Sequence, residues 1–134
     1  MALSNPTTLA EVSFADALRW SGGAAVYASG SPFPPVHGAR LLVPAQANNA
    51  LVFPGLALGV VRSGVAAVSD SLLLAAAHAV SDLVSDEELS AECVLPRIGR
   101  LAQVASAVAD AVVAAAAVRQ GAPQGLARRV QLID

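Results

Sequence analysis

The chain has 134 residues, a formal net charge of −2, and 13% charged against 55% hydrophobic residues. Its eight basic residues are arginines scattered along the chain, apart from the pair Arg128–Arg129, so it lacks the basic stripe that phosphate binding needs. The chain contains no lysine, which excludes a lysine base. The length suits one domain or part of a larger one. So few charges cannot cover a whole surface, and we expect a large apolar face.

A membrane-bound or secreted protein is not expected either. The apolar run 51–61 is short and interrupted by Pro54, and the run 111–118 is shorter, whereas a membrane span needs about 18 apolar residues. No basic segment precedes an apolar stretch at the N-terminus, so no signal peptide is predicted. The single cysteine, Cys93, excludes an internal disulfide and fits a reducing compartment. We therefore expect a cytoplasmic protein that binds neither nucleic acid nor membrane.

The first predicted elements alternate between strand and helix. Residues 1–3 resemble the end of a buried strand that would begin before Met1, and the loop Ser4-Asn5-Pro6-Thr7 follows it. Ser13 and Asp16 fit a capping box, which predicts a helix that ends near Trp20, before two glycines.

A second short buried strand is predicted at residues 24–28. It enters the loop 29–35, whose three prolines exclude a helix or a central strand. Residues 40–43 predict a short extended segment that Pro44 closes.

Four helices are predicted in the remainder of the chain. The favoured N-cap Asn48 predicts a helix over 50–63 that Gly64 ends, and Asp70 is expected to cap a helix through 72–83. Ser85 and Glu88 form a second capping box, for a short helix before Pro96. The last helix rests on a stripe at three- and four-residue spacing, ended by Gly121 and Pro123. The members of the stripe are Leu101, Val104, Ala105, Val108, Val112, Ala115 and Val118.

This order of elements predicts an α/β fold with few parallel strands followed by an α-helical region. There is too little sheet for a complete doubly wound domain. The chain is therefore expected to be the C-terminal portion of a larger α/β protein, with a strand, helix and loop part at 1–47 and C-terminal helices at 48–134.

Most residues that could carry chemistry have a simpler structural explanation. Asp86, Glu87 and Glu88 fit the first turn of a helix, where carboxylates offset the macrodipole, better than a metal site. His37 and His78 are predicted to be structural. Cys93 is expected to be a buried or bystander thiol, and Tyr27 a packing residue. Glycine-rich nucleotide motifs, H-E-x-x-H and C-x-x-C are absent from the sequence.

Three polar segments remain, and each stands where a ligand could bind. Ser4-Asn5-Pro6-Thr7 and Ser29-Gly30-Ser31 follow predicted strands, and Gln46-Ala47-Asn48-Asn49 opens a helix. Ligands of open α/β sheets bind at the carboxyl ends of the strands, and asparagine amides both donate and accept hydrogen bonds. The alternative is that Asn5 makes a turn and Asn48 a helix cap. Local physics alone leaves both interpretations open.

These segments, in this order, resemble the malic enzymes. The resemblance rests on Ala2-Leu3-Ser4-Asn5-Pro6-Thr7, Ala28-Ser29-Gly30-Ser31-Pro32-Phe33, the stretch from Val43 through Asn48-Asn49-Ala50, and Phe53-Pro54-Gly55. Residues 70–79, 85–89 and 100–109 also resemble the C-terminal helices of that family. Each short match is weak, but their order and spacing are specific. The fold implied is the C-terminal portion of a Rossmann-like NAD(P)-binding domain.

The resemblance implies oxidative decarboxylation of malate to pyruvate and CO2, with NAD or NADP as hydride acceptor and Mg2+ or Mn2+ as Lewis acid. Carried over by motif, Asn5, Asn48 and Asn49 would bind malate, and Ser4, Asn5, Pro6 and Asn48 would contact the cofactor. The family's tyrosine acid, lysine base, metal ligands and glycine-rich turn lie upstream of its Ser-Asn-Pro segment. No catalytic residue and no metal ligand is therefore expected in this chain.

Two functions follow from this sequence. The first is the C-terminal part of a malic enzyme that is inactive alone, needs the missing N-terminal part, and forms a homo-oligomer when complete. The alternative is a truncated, non-catalytic helical module that acts in packing or partner binding.

Overall fold

The computed structural model describes residues 1–121. Its α-helices and strands follow one another along the chain as α1 Phe14–Trp20, β1 Ala28–Ser29, β2 Val36–His37, β3 Leu41–Leu42, β4 Ala45–Gln46, α2 Phe53–Ser63, α3 Asp70–Ser81, α4 Asp86–Ser90 and α5 Leu101–Gly121. The predicted stop at Pro123 and the C-terminal tail lie outside the described residues.

Strand β1 lies at the centre of a small parallel sheet. On one side Ala2 forms a parallel bridge with Ser29, and on the other side β4 pairs with β1 in parallel. Two backbone hydrogen bonds join each pair of neighbours, of 2.9 Å on the Ala2 side and 3.1 and 2.8 Å on the β4 side. The strand predicted at residues 1–3 is thus confirmed, but only Ala2 pairs, as a single bridge. The strand predicted at 24–28 begins only at Ala28.

Strand β4 was missed by the sequence analysis. It is two residues long and directly follows Pro44, so it carries no alternating pattern. The predicted extended segment at 40–43 is confirmed as β3, which pairs with β2 in an antiparallel hairpin.

An aromatic cluster packs beneath the first strands. Tyr27 is buried, and its ring lies 5.2 Å from that of Phe14 and 5.9 Å from that of Phe33, the second in an edge-on arrangement. Its hydroxyl donates to the carbonyl oxygen of Val12 at 2.7 Å. Burial raises the pKa of Tyr27. The predicted packing role is confirmed.

The main core lies between α2, α3 and α5. Its buried residues are Leu51, Leu56, Leu72, Ala76, Val80, Val104, Val108, Val112 and Ala116. The predicted stripe of α5 therefore faces the core, except that Val118 is 75% exposed. Helices α2 and α5 approach closely at two glycines, where an added Cβ would lie 2.6 Å from Val108 Cβ at Gly55 and 2.6 Å from Val112 Cβ at Gly59.

The helix boundaries follow the predicted caps with two corrections. Ser13 Oγ accepts from the Asp16 amide at 3.1 Å, but Asp16 accepts from the Ser13 hydroxyl rather than from its backbone amide, so the reciprocal box is incomplete. Asp70 is the first residue of α3 and not its cap, because the helix starts one residue earlier than a cap at Asp70 implies, after Ser69. Gly64 ends α2 in the left-handed conformation, as predicted.

Helix α5 qualifies the argument against a membrane span. Ile98–Val118 is 21 residues long and apolar enough to cross a membrane by length and composition, which the expectation from uninterrupted apolar runs overlooked. One such helix is weak support for a span, since helices of a protein core share this composition. The buried side of α5 packs on α2 and α3. The predicted α/β class, parallel strands followed by helices, is confirmed.

Candidate functional site

One cavity of about 430 Å³ lies at the carboxyl ends of the three parallel strands. Each strand contributes the residues that follow it: Leu3 and Asn5, then Gly30, then Ala47, Asn48 and Asn49. Parallel strands end at the same edge of a sheet, so segments distant in sequence meet here. The structure thereby brings together the three asparagines singled out from the sequence.

Asn5 is held from one side and exposed on the other. Its Oδ1 accepts from the hydroxyl of Ser31 at 2.6 Å. The backbone passes very close at Gly30, where a Cβ would lie 2.4 Å from the Leu3 carbonyl oxygen and 3.2 Å from Asn5 Nδ2. Only glycine leaves room there for both the strand end and the amide.

Asn48 and Asn49 have different local roles. Asn48 Oδ1 accepts from the Ala50 amide at 2.9 Å and caps the 3₁₀ turn Asn49–Leu51 that leads into α2. Its Nδ2 makes no hydrogen bond within residues 1–121, and the same holds for the whole Asn49 side chain. Both residues are exposed at the cavity. The helix-cap and ligand interpretations of Asn48 are therefore compatible.

An apolar wall, missed by the sequence analysis, completes the cavity. Leu51 and Val52 come from the start of the helical region, Val80 from α3, and Leu95 from the segment after α4. Val80 and Leu95 are far from the sheet in sequence, and only the packed helices bring them to this edge. The cavity thus has amides on one side and aliphatic groups on the other, and none of its described lining residues is charged.

Ser4 and Pro6, predicted to border the cofactor, stand beside the cavity but do not line it. The Ser4 hydroxyl donates to Glu11 Oε1 at 2.7 Å, and its amide donates to Glu11 Oε2 at 3.3 Å. Hydrogen bonds from the protein, including those from Ser4, lower the pKa of Glu11.

The acidic run in the first turn of α4 has a structural role, as predicted. Ser85 and Glu88 form a complete capping box. Glu88 is buried, and it accepts from the Arg97 amide and from Arg100 Nη1, both at 3.0 Å. Burial alone would raise the pKa of Glu88, but the hydrogen bonds from Ser85 and Arg97 and the charge of Arg100 outweigh it and lower the pKa.

The remaining candidates for chemistry lie away from the cavity. Cys93 is buried, donates to the Leu95 carbonyl oxygen at 3.3 Å, and has its pKa raised by burial, so it has the character of an inert thiol. His37 and His78 are exposed. Within residues 1–121, no group of three histidine, cysteine or acidic side chains could hold a metal ion. The described residues therefore do not fit a catalytic metal.

Comparisons with known proteins agree with the geometry. Residues 1–117 match the family described as malic enzyme, NAD binding domain. The chain is 42% identical to an NADP-dependent malic enzyme of Phaseolus vulgaris over 134 residues, which is 99% of this chain and 23% of that protein. It is 41% identical to one of Populus trichocarpa over 134 residues, 99% of this chain and 22% of the relative.

A third relative, NADP-dependent malic enzyme 1 of Arabidopsis thaliana, is 44% identical over 110 residues, 81% of this chain and 19% of its own length. The chain thus spans about a fifth of these curated relatives. The match of the NAD-binding family model to nearly all described residues, together with the parallel sheet, confirms a partial Rossmann-like domain. This chain belongs to the malic enzyme family and corresponds to part of its NAD-binding domain.

Proposed function

We propose that this chain is the C-terminal part of the NAD(P)-binding domain of an enzyme that oxidatively decarboxylates malate to pyruvate and CO2. The convergence of Asn5, Asn48 and Asn49 on one cavity carries the proposal. Family membership and the relatives' names support it.

The asparagines would bind the substrate through neutral hydrogen bonds. The Nδ2 groups donate to carboxylate or hydroxyl oxygens of malate, and Asn49 Oδ1 is available to accept from a hydroxyl or a carboxamide. Asn5 and Asn48 are assigned to the junction of malate with the cofactor, and Ser4 and Pro6 to the border of the cofactor. The apolar wall of Leu51, Val52, Val80 and Leu95 would keep water away from the reacting carbon.

The cofactor is NAD or NADP, and when bound it accepts the hydride from malate. The matched family is described as NAD-binding and the relatives as NADP-dependent, so the proposal includes both dinucleotides. A cavity of this size with one apolar side fits the nicotinamide end of such a molecule.

The remaining chemistry is assigned to residues outside this chain. The resemblance implies Mg2+ or Mn2+, but the residues described here do not fit such an ion. We therefore place the metal ligands, the tyrosine acid and the lysine base in an upstream part of the enzyme. The isolated chain is then inactive, and the complete enzyme is a cytoplasmic homo-oligomer.

The test is malate-dependent reduction of NAD and of NADP in the presence of Mn2+. We expect turnover by a longer natural chain that contains these residues and no turnover by the 134-residue chain alone. Turnover by the short chain would overturn the assignment of the metal ligands, the acid and the base to an upstream part of the enzyme. If the longer chain binds neither malate nor dinucleotide, the alternative of a non-catalytic packing or partner-binding module is favoured.

A further inference from the structure

The Ser29-Gly30-Ser31 segment holds two buried serine hydroxyls on either side of Gly30, which lines the cavity. Ser29 is 1% exposed and Ser31 is 4% exposed, whereas the asparagines around the cavity are exposed. A buried hydroxyl costs free energy unless it is hydrogen-bonded, so the partners of these two serines indicate what they do.

The two hydroxyls make separate hydrogen bonds, one to the loop backbone and one to the Asn5 side chain. Ser29 Oγ donates to the carbonyl oxygen of Ser31 at 2.7 Å, which fixes the backbone of the loop. Ser31 Oγ then lies 2.6 Å from Asn5 Oδ1 and 3.5 Å from the carbonyl oxygen of Ser4. A hydroxyl has one proton to donate, and the shorter distance directs it to Asn5.

This hydrogen bond decides which end of the amide stays available. Once Oδ1 accepts from Ser31, the other end of the Asn5 side chain is Nδ2, a donor. Nδ2 lies beside Gly30, which itself lines the cavity, and the missing Cβ leaves it space. An asparagine without this contact rotates freely about its terminal torsion and offers donor and acceptor alternately.

We propose that Ser31 is a positioning residue that orients Asn5 so that its Nδ2 is the group presented to an acceptor oxygen of the ligand. This inference rests on the proposed function, because it assigns Asn5 to the site where malate and the dinucleotide meet. It also explains why the loop after β1 carries a buried serine at this position.

The experiment uses the longest natural chain that contains these residues and measures kcat and KM for malate and for the dinucleotide. We expect Asn5→Ala and Ser31→Ala each to lower kcat/KM, by about 10- to 100-fold for the first and by a smaller factor for the second. The double variant should match Asn5→Ala, because without the asparagine the serine has nothing to orient. Ser31→Thr keeps the hydroxyl and should therefore retain most of the wild-type kcat/KM.

Two further variants separate orientation from stability. Asn5→Asp keeps an acceptor for Ser31 but replaces the donor by a negative charge, so we expect a loss at least as large as that of Asn5→Ala. Ser13→Ala removes a helix cap on α1 and should lower Tm with an unchanged KM. If Ser31→Ala does not fold, Ser31→Thr and Asn5→Asp still decide the question.

Each result points to one conclusion. Unchanged kinetics in Asn5→Ala would reject Asn5 as a ligand contact and with it the proposed site. A loss in Asn5→Ala with unchanged kinetics in Ser31→Ala, or losses that multiply in the double variant, would overturn the positioning role and leave the proposed site standing. Full activity in Asn5→Asp would overturn the assignment of Nδ2 as a donor.

Discussion

The sheet region, residues 1–47, and the helical region, residues 48–121, are held together by different forces. The parallel sheet consists of an isolated bridge and two strands of two residues, joined by a few backbone hydrogen bonds, with one aromatic cluster beneath it. The helical region is held by aliphatic packing of α2 and α3 on α5, tight enough that two glycines have no room for a side chain.

The two regions differ in what they contribute to the cavity and to the stability of the chain. The sheet region supplies Asn5 and the residues that follow the first two strands at the cavity, where polar groups must stay free for a ligand and cannot contribute to a core. The helical region supplies the packed core and also lines the same cavity with Asn48, Asn49 and the apolar wall. Elements with few buried apolar contacts open more easily, so we place the lower local stability in the sheet region, on the side of the cavity that holds Asn5.

The largest effect is expected from breaking the helix contact at Gly59. In Gly59→Val the new Cβ would lie 2.6 Å from Val112 Cβ and 3.0 Å from the Ala109 carbonyl oxygen. We expect the free energy of unfolding to fall by about 3 kcal/mol, measured by denaturant titration. Gly99→Val is the matched control, because a Cβ there meets nothing within 4 Å. Equal effects of the two changes would show that the close approach of α2 and α5 does not limit stability.

A smaller loss is expected when the buried carboxylate of Glu88 is neutralised. Glu88→Gln should lower the free energy of unfolding by about 2 kcal/mol at neutral pH, because the hydrogen bonds and the ion pair to Arg100 lose their charge. The exposed neighbour Glu87 provides the control, and Glu87→Gln should have little effect.

The pH dependence of stability provides a second test of Glu88. Its pKa is lower in the folded chain than in the unfolded chain, so its stabilisation is present above about pH 4.3 and is lost as the pH falls through the folded pKa. Glu88→Gln should therefore lose less stability than the wild type in acid. Parallel acid profiles for the two proteins would contradict this assignment.

The smallest predicted effect on stability is at Asn48. Comparison with the adjacent Asn49 allows this effect to be separated from an effect on malate binding. Asn48→Ala removes the cap on the Ala50 amide and should cost about 1 kcal/mol of stability, whereas Asn49→Ala removes no hydrogen bond within the described chain and should cost almost none. In a longer active chain, both should raise the KM for malate or lower kcat, by the equivalent of about 0.5–3 kcal/mol. A change in stability without any change in kinetics would leave Asn48 with its capping role alone.

Much of this architecture could be predicted because its signals are local. Capping residues and helical spacing identified α1, α2, α4 and α5. The rule for strand ends predicted a ligand site beside Asn5, and the resemblance to the malic enzymes implied that Asn48 and Asn49 share it. Strand β4 was missed because two residues carry no periodicity. The apolar wall and the bond from Ser31 to Asn5 depend on contacts between segments that are distant in sequence, which no local pattern encodes.

The central position of β1 has a consequence for how the loops are placed. Its backbone and the residues flanking it are bonded to Ala2 on one side and to the β4 segment on the other, so the starts of all three following segments are tied through four consecutive residues, 27–30. The three loops therefore start from one shared set of hydrogen bonds, which fixes the spacing of their first residues.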